Sequence, residues 1–263
     1  MKNIRDILHW SAFTGYLRNA DAYSRGRPGY PPEINDWLRN TLQIKNHSEV
    51  LDLGAGTGKF TQRLVDLGAH VTAVEPIKEM RDKFKERWPD IEVIEATAQQ
   101  MPQVRSGSID AVVCAHSFHW FATEEAMKEI HRVLKPGGRL GLIWNLRDAS
   151  VDWVGQLAAI VTAEAGENPR YYSGDWRKVF PYAGFSLSTE KHFPHLHTGS
   201  PEDVIINRIK SISFIASKTP EEQAVIFDKV RHLIATHPAL VNKESISVPY
   251  DTVAFHAAKI LPL

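Results

Sequence analysis

The chain of 263 residues contains a single cysteine, Cys114, and no excess of either charge, since 31 Lys and Arg residues balance 31 Asp and Glu residues. One cysteine excludes a disulfide framework within the chain and is typical of proteins from a reducing compartment. A net charge of zero disfavours a protein whose main partner is a nucleic-acid backbone, although a local basic patch remains possible.

Long apolar runs are also missing. No stretch approaches the roughly 18 apolar residues that a membrane-spanning helix needs. The first ten residues lack the apolar core and the small-residue cleavage site of a secretory signal. We therefore expect a soluble, cytoplasmic protein with no membrane or nucleic-acid partner, whose oligomeric state the sequence leaves open. The composition, 43% hydrophobic and 24% charged, excludes global disorder.

Short apolar runs alternate with helix-periodic segments over residues 50–145. The predicted strands are residues 50–53, 71–74, 91–94, 109–115 and 139–144. The predicted helices between them are residues 60–68, 78–88 and 124–134. Strands that are continuously apolar and alternate with helices indicate a parallel sheet covered on both faces.

The remaining sequence predicts a helix over residues 152–165, strands over residues 185–193 and 247–258, and two helical stretches, 202–217 and 220–236, between those strands. We expect one domain over residues 1–263. Residues 1–45 form an N-terminal helical cap, residues 46–147 a cofactor-binding core, and residues 148–263 the sheet edge with a helical insertion at about 201–237. We expect this insertion to cover the substrate pocket, because it is too long for a simple connection.

A glycine-rich turn is the strongest motif. Gly54, Gly56 and Gly58 follow the apolar strand 50–53 and precede a helix, an arrangement that permits a tight turn and close approach of a ligand. The phosphate-binding P-loop pattern fails, because Leu53 stands where that pattern needs its first glycine and Phe60 where it needs Ser or Thr. The dinucleotide pattern Gly-x-Gly-x-x-Gly is not met either. A purely structural turn seldom needs three glycines in five residues.

Glu75 ends the second predicted strand, 21 residues after Gly54. An acidic side chain at that place can accept hydrogen bonds from both ribose hydroxyls of an adenosine. Together with the glycine turn, it predicts a nucleoside-binding site at the carboxyl ends of the strands.

These motifs resemble those of the class I S-adenosylmethionine-dependent methyltransferases. The matching segments are residues 51–58, 71–76, 96–102, 108–113 and 131–140. Tyr23 with residues 27–31, and the aromatic run 117–121, are similar to the small-molecule branch that includes the trans-aconitate methyltransferases. The resemblance implies a Rossmann-like, doubly wound, mostly parallel seven-stranded α/β sheet, an αβα sandwich, and S-adenosylmethionine as cofactor. Thr97 departs from the family, which commonly has Asp there.

The resemblance, the carboxyl-end positions of these loops in a parallel sheet and the residue types together indicate site residues. The expected cofactor-binding residues are Tyr23, Arg27, Gly54, Ala55, Gly56, Gly58, Glu75, Pro76, Thr97, Ala98, Gln99 and His116. The expected acceptor-binding residues are Phe118, Trp120, Asn145, Arg170 and Tyr171. His119 is the catalytic candidate, either as a general base or as a group that orients the acceptor.

The expected reaction is methylation of a small molecule on oxygen or nitrogen, with a carboxylate as one possible acceptor. A nucleic-acid or protein methyltransferase and a non-catalytic cofactor-binding module are the alternatives. The segment 116–120 lacks the Asn/Asp-Pro-Pro-Tyr/Phe motif expected for methylation of base amino groups. His192, His195 and His197 lack the spacing and acidic partners of a metal site, so no metal is expected.

Overall fold

The computed structural model describes residues 26–187 and 190–260, so Tyr23 and most of the predicted N-terminal cap lie outside the described residues. The strands are β1 Glu49–Leu53, β2 His70–Val74, β3 Glu92–Ile94, β4 Ile109–Ala115, β5 Leu134–Arg147, β6 Phe185–Leu187, β7 Lys191–Gly199 and β8 Ile246–Lys259. The α-helices are α1 Ile34–Asn40, α2 Thr61–Val65, α3 Lys78–Arg87, α4 Glu124–Val133, α5 Asp152–Thr162, α6 Arg208–Lys210, α7 Ser213–Ala216 and α8 Pro220–Thr236.

One mixed sheet runs in the order β3-β2-β1-β4-β5-β8, with β6 and β7 both paired to the outer edge of β8. The first five strands are parallel, whereas β8 is antiparallel to β5. This confirms the predicted doubly wound, mostly parallel α/β sheet. The single strand predicted over residues 185–193 is two strands, because β6 ends opposite Ala257 and β7 begins opposite Ala254. The sheet therefore has eight strands in seven positions.

Alternate residues of the central strands face opposite sides of the sheet, and both sides are buried. Val50, Ala111 and Val113 pack into one apolar cluster with side chains of α1 and α2. Leu51 and Val112 pack into the other with side chains of α4. Burial on both faces explains why these strands are continuously apolar in the sequence.

The helical insertion differs in its two halves. Helix α8 begins and ends at the predicted residues, because Thr219 and Glu222 form a reciprocal capping box and Pro220 follows the cap. The stretch predicted as one helix over residues 202–217 is instead a π-helix, Glu202–Asn207, followed by the short helices α6 and α7. The π-helix buries four consecutive residues, Val204 to Asn207, which a regular amphipathic helix does not do.

Candidate active site

The loops that follow β1, β2 and β4 form a cleft of about 990 Å³ at the carboxyl edge of the sheet. All three glycines of the predicted turn have left-handed φ values, 72° at Gly54, 58° at Gly56 and 75° at Gly58. A Cβ atom at Gly54 would lie 2.6 Å from Cβ of Ser117, and one at Gly58 would lie 2.6 Å from Cδ1 of Trp88. Two of the glycines are therefore required by protein packing as well as by backbone conformation.

Glu75 lines this cleft, with 5% of its surface exposed. Its two carboxylate oxygens accept hydrogen bonds from the backbone N–H groups of Gly56 and Ile77, each at 2.9 Å. Burial raises the pKa of Glu75 to about 7, although both hydrogen bonds oppose the increase. The bonds hold the carboxylate against the glycine turn, where its remaining lone pairs can accept from ribose hydroxyls.

Asp52 supplies a second buried carboxylate, which the sequence analysis did not assign to the site. The Thr61 hydroxyl donates to its Oδ2 at 2.7 Å, whereas Oδ1 has no hydrogen-bond partner among the described residues. Burial raises the pKa of Asp52 to about 6. Because Asp52 lines the cleft, its unpaired oxygen can accept a hydrogen bond from a polar or cationic part of a ligand.

The opposite wall of the cleft is suited to a nucleobase. Pro76, Thr97, Ala98 and Gln99 line it, as predicted, and Thr97 and Ala98 are buried. The apolar side chains of Ile77 and Met80 complete this wall. An apolar slot next to two buried carboxylates fits a ligand that carries a base, a ribose and a positive charge, which is the chemistry of S-adenosylmethionine.

A second cavity, of about 1140 Å³, adjoins the first, and His116 and Trp120 line both. His116 has a φ of 58°, a strained conformation for a residue other than glycine. It turns the chain at the end of β4. Ser117 fixes this turn, since its hydroxyl donates to the carbonyl of Leu53 at 2.7 Å. His116, expected to contact the cofactor, and Trp120, expected to contact the acceptor, therefore lie at the junction of the two cavities.

The second cavity is strongly cationic. It is lined by Arg27, Arg147, Arg170 and Arg208. Within the described ranges 26–187 and 190–260, no Asp or Glu lines it. Nη1 of Arg147 and of Arg170, and both Nε and Nη1 of Arg208, are buried without a hydrogen-bond partner there.

Arg208 is the most buried of these arginines, with 8% of its surface exposed. Burial, together with the nearby charges of Arg27 and Arg147, lowers its pKa to about 9, although the interaction with Tyr250 opposes this decrease. A buried cation without an acidic partner is costly, and an anionic ligand in this cavity would remove the cost. Arg208 was not among the predicted site residues, because it directly follows the π-helix and no local motif marks it.

His119 lines the second cavity, as expected for the catalytic candidate. The indole Nε1–H of Trp144 donates to Nδ1 of His119 at 3.0 Å. A neutral imidazole that accepts at Nδ1 carries its proton on Nε2. Burial, with a contribution from Arg27, lowers the pKa of His119 to about 3. The geometry thus favours a hydrogen-bond donor that orients the acceptor over a general base.

The remaining predicted acceptor residues divide into two groups. Trp120, Asn145, Arg170 and Tyr171 line the second cavity. Phe118 does not: it is completely buried in the core and packs against Phe121 and Phe180. Aromatic residues that follow a strand often belong to the core, and the pattern of the run 117–121 does not distinguish the two cases.

Arg27 was expected to bind the cofactor, but it lies in the second cavity and not in the first. Its guanidinium donates to the hydroxyl and the carbonyl oxygen of Ser211. Its own carbonyl accepts a hydrogen bond from Lys59 Nζ at 2.6 Å. Arg27 therefore connects the glycine turn to the helical insertion across the top of the site.

The histidines of β7 lie away from these cavities. His195 and His197 both pack against Tyr250, and His192 pairs with Asp251. Within the part of the chain that the structure describes, no group of three or more His, Cys, Asp and Glu residues could hold a metal ion. None of the described helices is both long and apolar enough to cross a bilayer.

Comparison with known proteins identifies the family. Residues 51–142 match the model of a methyltransferase domain. A methyltransferase-like protein of Schizosaccharomyces pombe is 37% identical over 240 residues, which cover 90% of this chain and 92% of the relative. A methyltransferase of Mycobacterium bovis is 39% identical over 236 residues, with the same coverage. The biochemical role of both relatives is uncharacterized.

A solved structure from Anaeromyxobacter dehalogenans, whose description names a type II methyltransferase, superposes with a TM-score of 0.67. It is 20% identical and covers 90% of this chain and 99% of its own, which shows a shared fold. The chain belongs to the class I methyltransferases. It is an S-adenosylmethionine-dependent methyltransferase.

Proposed function

We propose that the enzyme methylates a small anionic molecule on oxygen, with a carboxylate as the accepting group. The buried guanidinium of Arg208 carries this proposal, because its Nε and Nη1 have no hydrogen-bond partner among the described residues. A carboxylate is the group that best satisfies such a side chain. Resemblance of residues 27–31 and 117–121 to the trans-aconitate branch supports the same choice. An amine is disfavoured as acceptor, since four arginines would repel its protonated form.

The cofactor cleft and the arginine cavity would act together. Glu75, the glycine turn and the wall that includes Ala98 would hold bound S-adenosylmethionine, which supplies a methyl group already activated by its positive sulfur. The arginines would hold the carboxylate at the junction formed by His116 and Trp120. The work of the protein is then mainly to align the two reactants, which alone can contribute on the order of 10⁵–10⁸ M in effective concentration.

The chemical balance needs no base when the acceptor is a carboxylate. An oxygen lone pair forms the new C–O bond, the C–S bond breaks, and its electron pair stays on sulfur. No proton leaves the acceptor, so a neutral His119 that donates from Nε2 is sufficient. Trp120 would exclude water from the junction.

A small molecule is favoured over a nucleic acid, because the cationic residues lie inside a cavity and the chain carries no net charge. The single cysteine, Cys114, is buried and reduced, which is compatible with a cytoplasmic enzyme. A panel of small carboxylates, phenols and amines, screened for transfer of a labelled methyl group by mass spectrometry, tests the proposal. Transfer to carboxylates that is lost in Arg208→Met supports it, whereas transfer only to amines or phenols contradicts it.

A further inference from the structure

The wall of the second cavity has two chemically different regions. Arg27, His116, Asn145 and Arg208 also line a small recess beside Lys59 and Tyr250, so these four polar residues are neighbours. Arg147 belongs with them, because its charge, like those of Arg27 and Arg208, lowers the pKa of His116. This polar region adjoins the cofactor cleft at His116.

The other region is apolar. Helix α5 contributes Ala158 and Val161, and the insertion contributes Ile212 and Phe214. Tyr172 joins them from the segment before β6, with 68% of its surface exposed. Ala158, Val161, Ile212 and Phe214 have no polar side-chain atom, and only Tyr172 carries a hydroxyl. None of the five residues lines the cofactor cleft or the recess.

This division bears on the shape of the acceptor, because the arginines occupy only part of the lining of the cavity. A compact polycarboxylate at the arginines would leave the apolar wall in contact with water. A ligand with an apolar tail would cover that wall, and each buried methylene would strengthen binding about fourfold.

We propose that the acceptor is an amphipathic carboxylic acid, whose carboxylate binds at Arg208 and whose apolar tail lies against α5 and Phe214. This inference rests on the proposed function and adds to it the second half of the acceptor. It separates this enzyme from methyltransferases that act on small, highly polar acids, because the specificity then comes from the tail as well as from the charge.

Chain length provides the first test. Straight-chain monocarboxylic acids of about four to sixteen carbons and a compact tricarboxylate are compared as methyl acceptors by kcat/KM. We expect kcat/KM to rise by up to about fourfold per methylene until the cavity is full, and to be low for the tricarboxylate. A flat dependence on length, or a tricarboxylate that is the best acceptor, overturns the inference and leaves the proposed function intact.

A matched pair of variants locates the tail. Ala158 lines the cavity, whereas its neighbour Ala159 is exposed on the same helix. Ala158→Phe should move the optimal chain length down by several carbons, and Ala159→Phe should leave it unchanged. Both variants should bind S-adenosylhomocysteine like the wild type. An identical length optimum in all three proteins contradicts the assignment of the tail to α5.

Calorimetry with the complex of enzyme and S-adenosylhomocysteine distinguishes the two levels of the hypothesis. Acids that bind with the expected length dependence but are not methylated would contradict the proposed function and retain the amphipathic site. If no acid of the series binds to this complex, the inference is wrong, whatever other molecule the enzyme methylates.

Discussion

The Trp144 indole donates a hydrogen bond to Nδ1 of His119 at 3.0 Å, and this contact leaves Nε2 as the ring nitrogen that can interact with a substrate. Trp144 is completely buried and packs against Trp176 and Phe255, so its donor is fixed in direction. A neutral His119, which lines the second cavity, then carries its proton on Nε2. The pKa of His119, lowered to about 3 by burial, keeps it neutral throughout the physiological range.

His119→Ala should therefore reduce kcat/KM by only about two- to thirteenfold, the effect of losing one orienting hydrogen bond of roughly 0.5–1.5 kcal/mol. Loss of a general base would instead reduce the rate by a factor of about 10²–10⁴. The measurement is kcat/KM at saturating cofactor over pH 5.5–8.5, where we expect parallel profiles for variant and wild type. Because His119→Ala leaves the Trp144 indole N–H without an acceptor, the double variant His119→Ala/Trp144→Phe serves as the control. A loss above 10² together with a changed acidic limb would restore the base role.

Glu75 should make cofactor binding depend on pH. Burial raises its pKa to about 7, and accepting two ribose hydroxyls besides two backbone N–H groups requires the ionised form. Affinity for S-adenosylhomocysteine should thus be constant above about pH 8 and fall nearly tenfold per pH unit below about 6. Calorimetry in buffers of different ionisation enthalpy should detect the release of close to one proton per ligand bound at pH 6. At pH 8 it should detect almost no proton release.

Two variants assign this proton. Asp52→Asn removes the other buried carboxylate of the cleft, whose pKa is about 6, and should keep most of the proton release. Glu75→Gln should bind weakly and release almost none. If affinity in the wild type does not change with pH, the ribose contact to Glu75 is not the one described here.

The cofactor cleft could be predicted from sequence because its parts are local. Gly54, Gly56 and Gly58 follow one buried strand and Glu75 ends the next, and adjacent parallel strands bring both ends to one edge of the sheet. Helix α8 was predicted to the residue since its capping box and Pro220 are visible in the sequence. The split of residues 185–193 into β6 and β7 was not predictable, because it depends on pairing with distant parts of β8.

The acceptor cavity could be predicted only in part, because it is assembled from segments far apart in the chain. Asn145 and Arg147 lie at the end of β5, where the topology of a parallel sheet places a ligand. Arg27 precedes α1 and Arg208 lies in the helical insertion, far along the chain, and no spacing links them. Phe118 was misassigned because burial in a core and exposure to a pocket produce the same aromatic pattern.

Gly58 should tolerate a side chain less well than a glycine of the same conformation elsewhere. Gly58 and Gly137 have φ values of 75° and 76°, but a Cβ at Gly58 would collide with Trp88, whereas one at Gly137 would meet nothing within 4 Å. Gly137→Ala should cost about 1–2 kcal/mol of unfolding free energy from conformation alone. Gly58→Ala should cost at least about 1 kcal/mol more in urea unfolding. Equal losses would show that Trp88 moves aside without cost.

Arg208 should be destabilising in the protein without acceptor. It is buried, and no acid lines its cavity within residues 26–187 and 190–260. Arg208→Met keeps most of the apolar stem and should raise the unfolding free energy at pH 7 by about 1–3 kcal/mol.

The same substitution should abolish the response to acceptor, which separates a functional arginine from a badly packed one. The unfolding free energy of the wild type should increase by about 2.7 kcal/mol when a carboxylate acceptor is present at a hundred times its Kd. The increase should be far smaller in Arg208→Met, and kcat/KM of this variant should fall by a factor of at least about 10². Arg231→Met on α8, where the side chain is 59% exposed, is the control and should stay within about 0.5 kcal/mol of the wild type. Unfolding by urea at pH 7, with and without acceptor, gives the free energies, and steady-state kinetics gives kcat/KM. A variant that is less stable than the wild type without acceptor would mean that Arg208 already has a stabilising partner in the protein, and the case for an anionic acceptor would lose its main support.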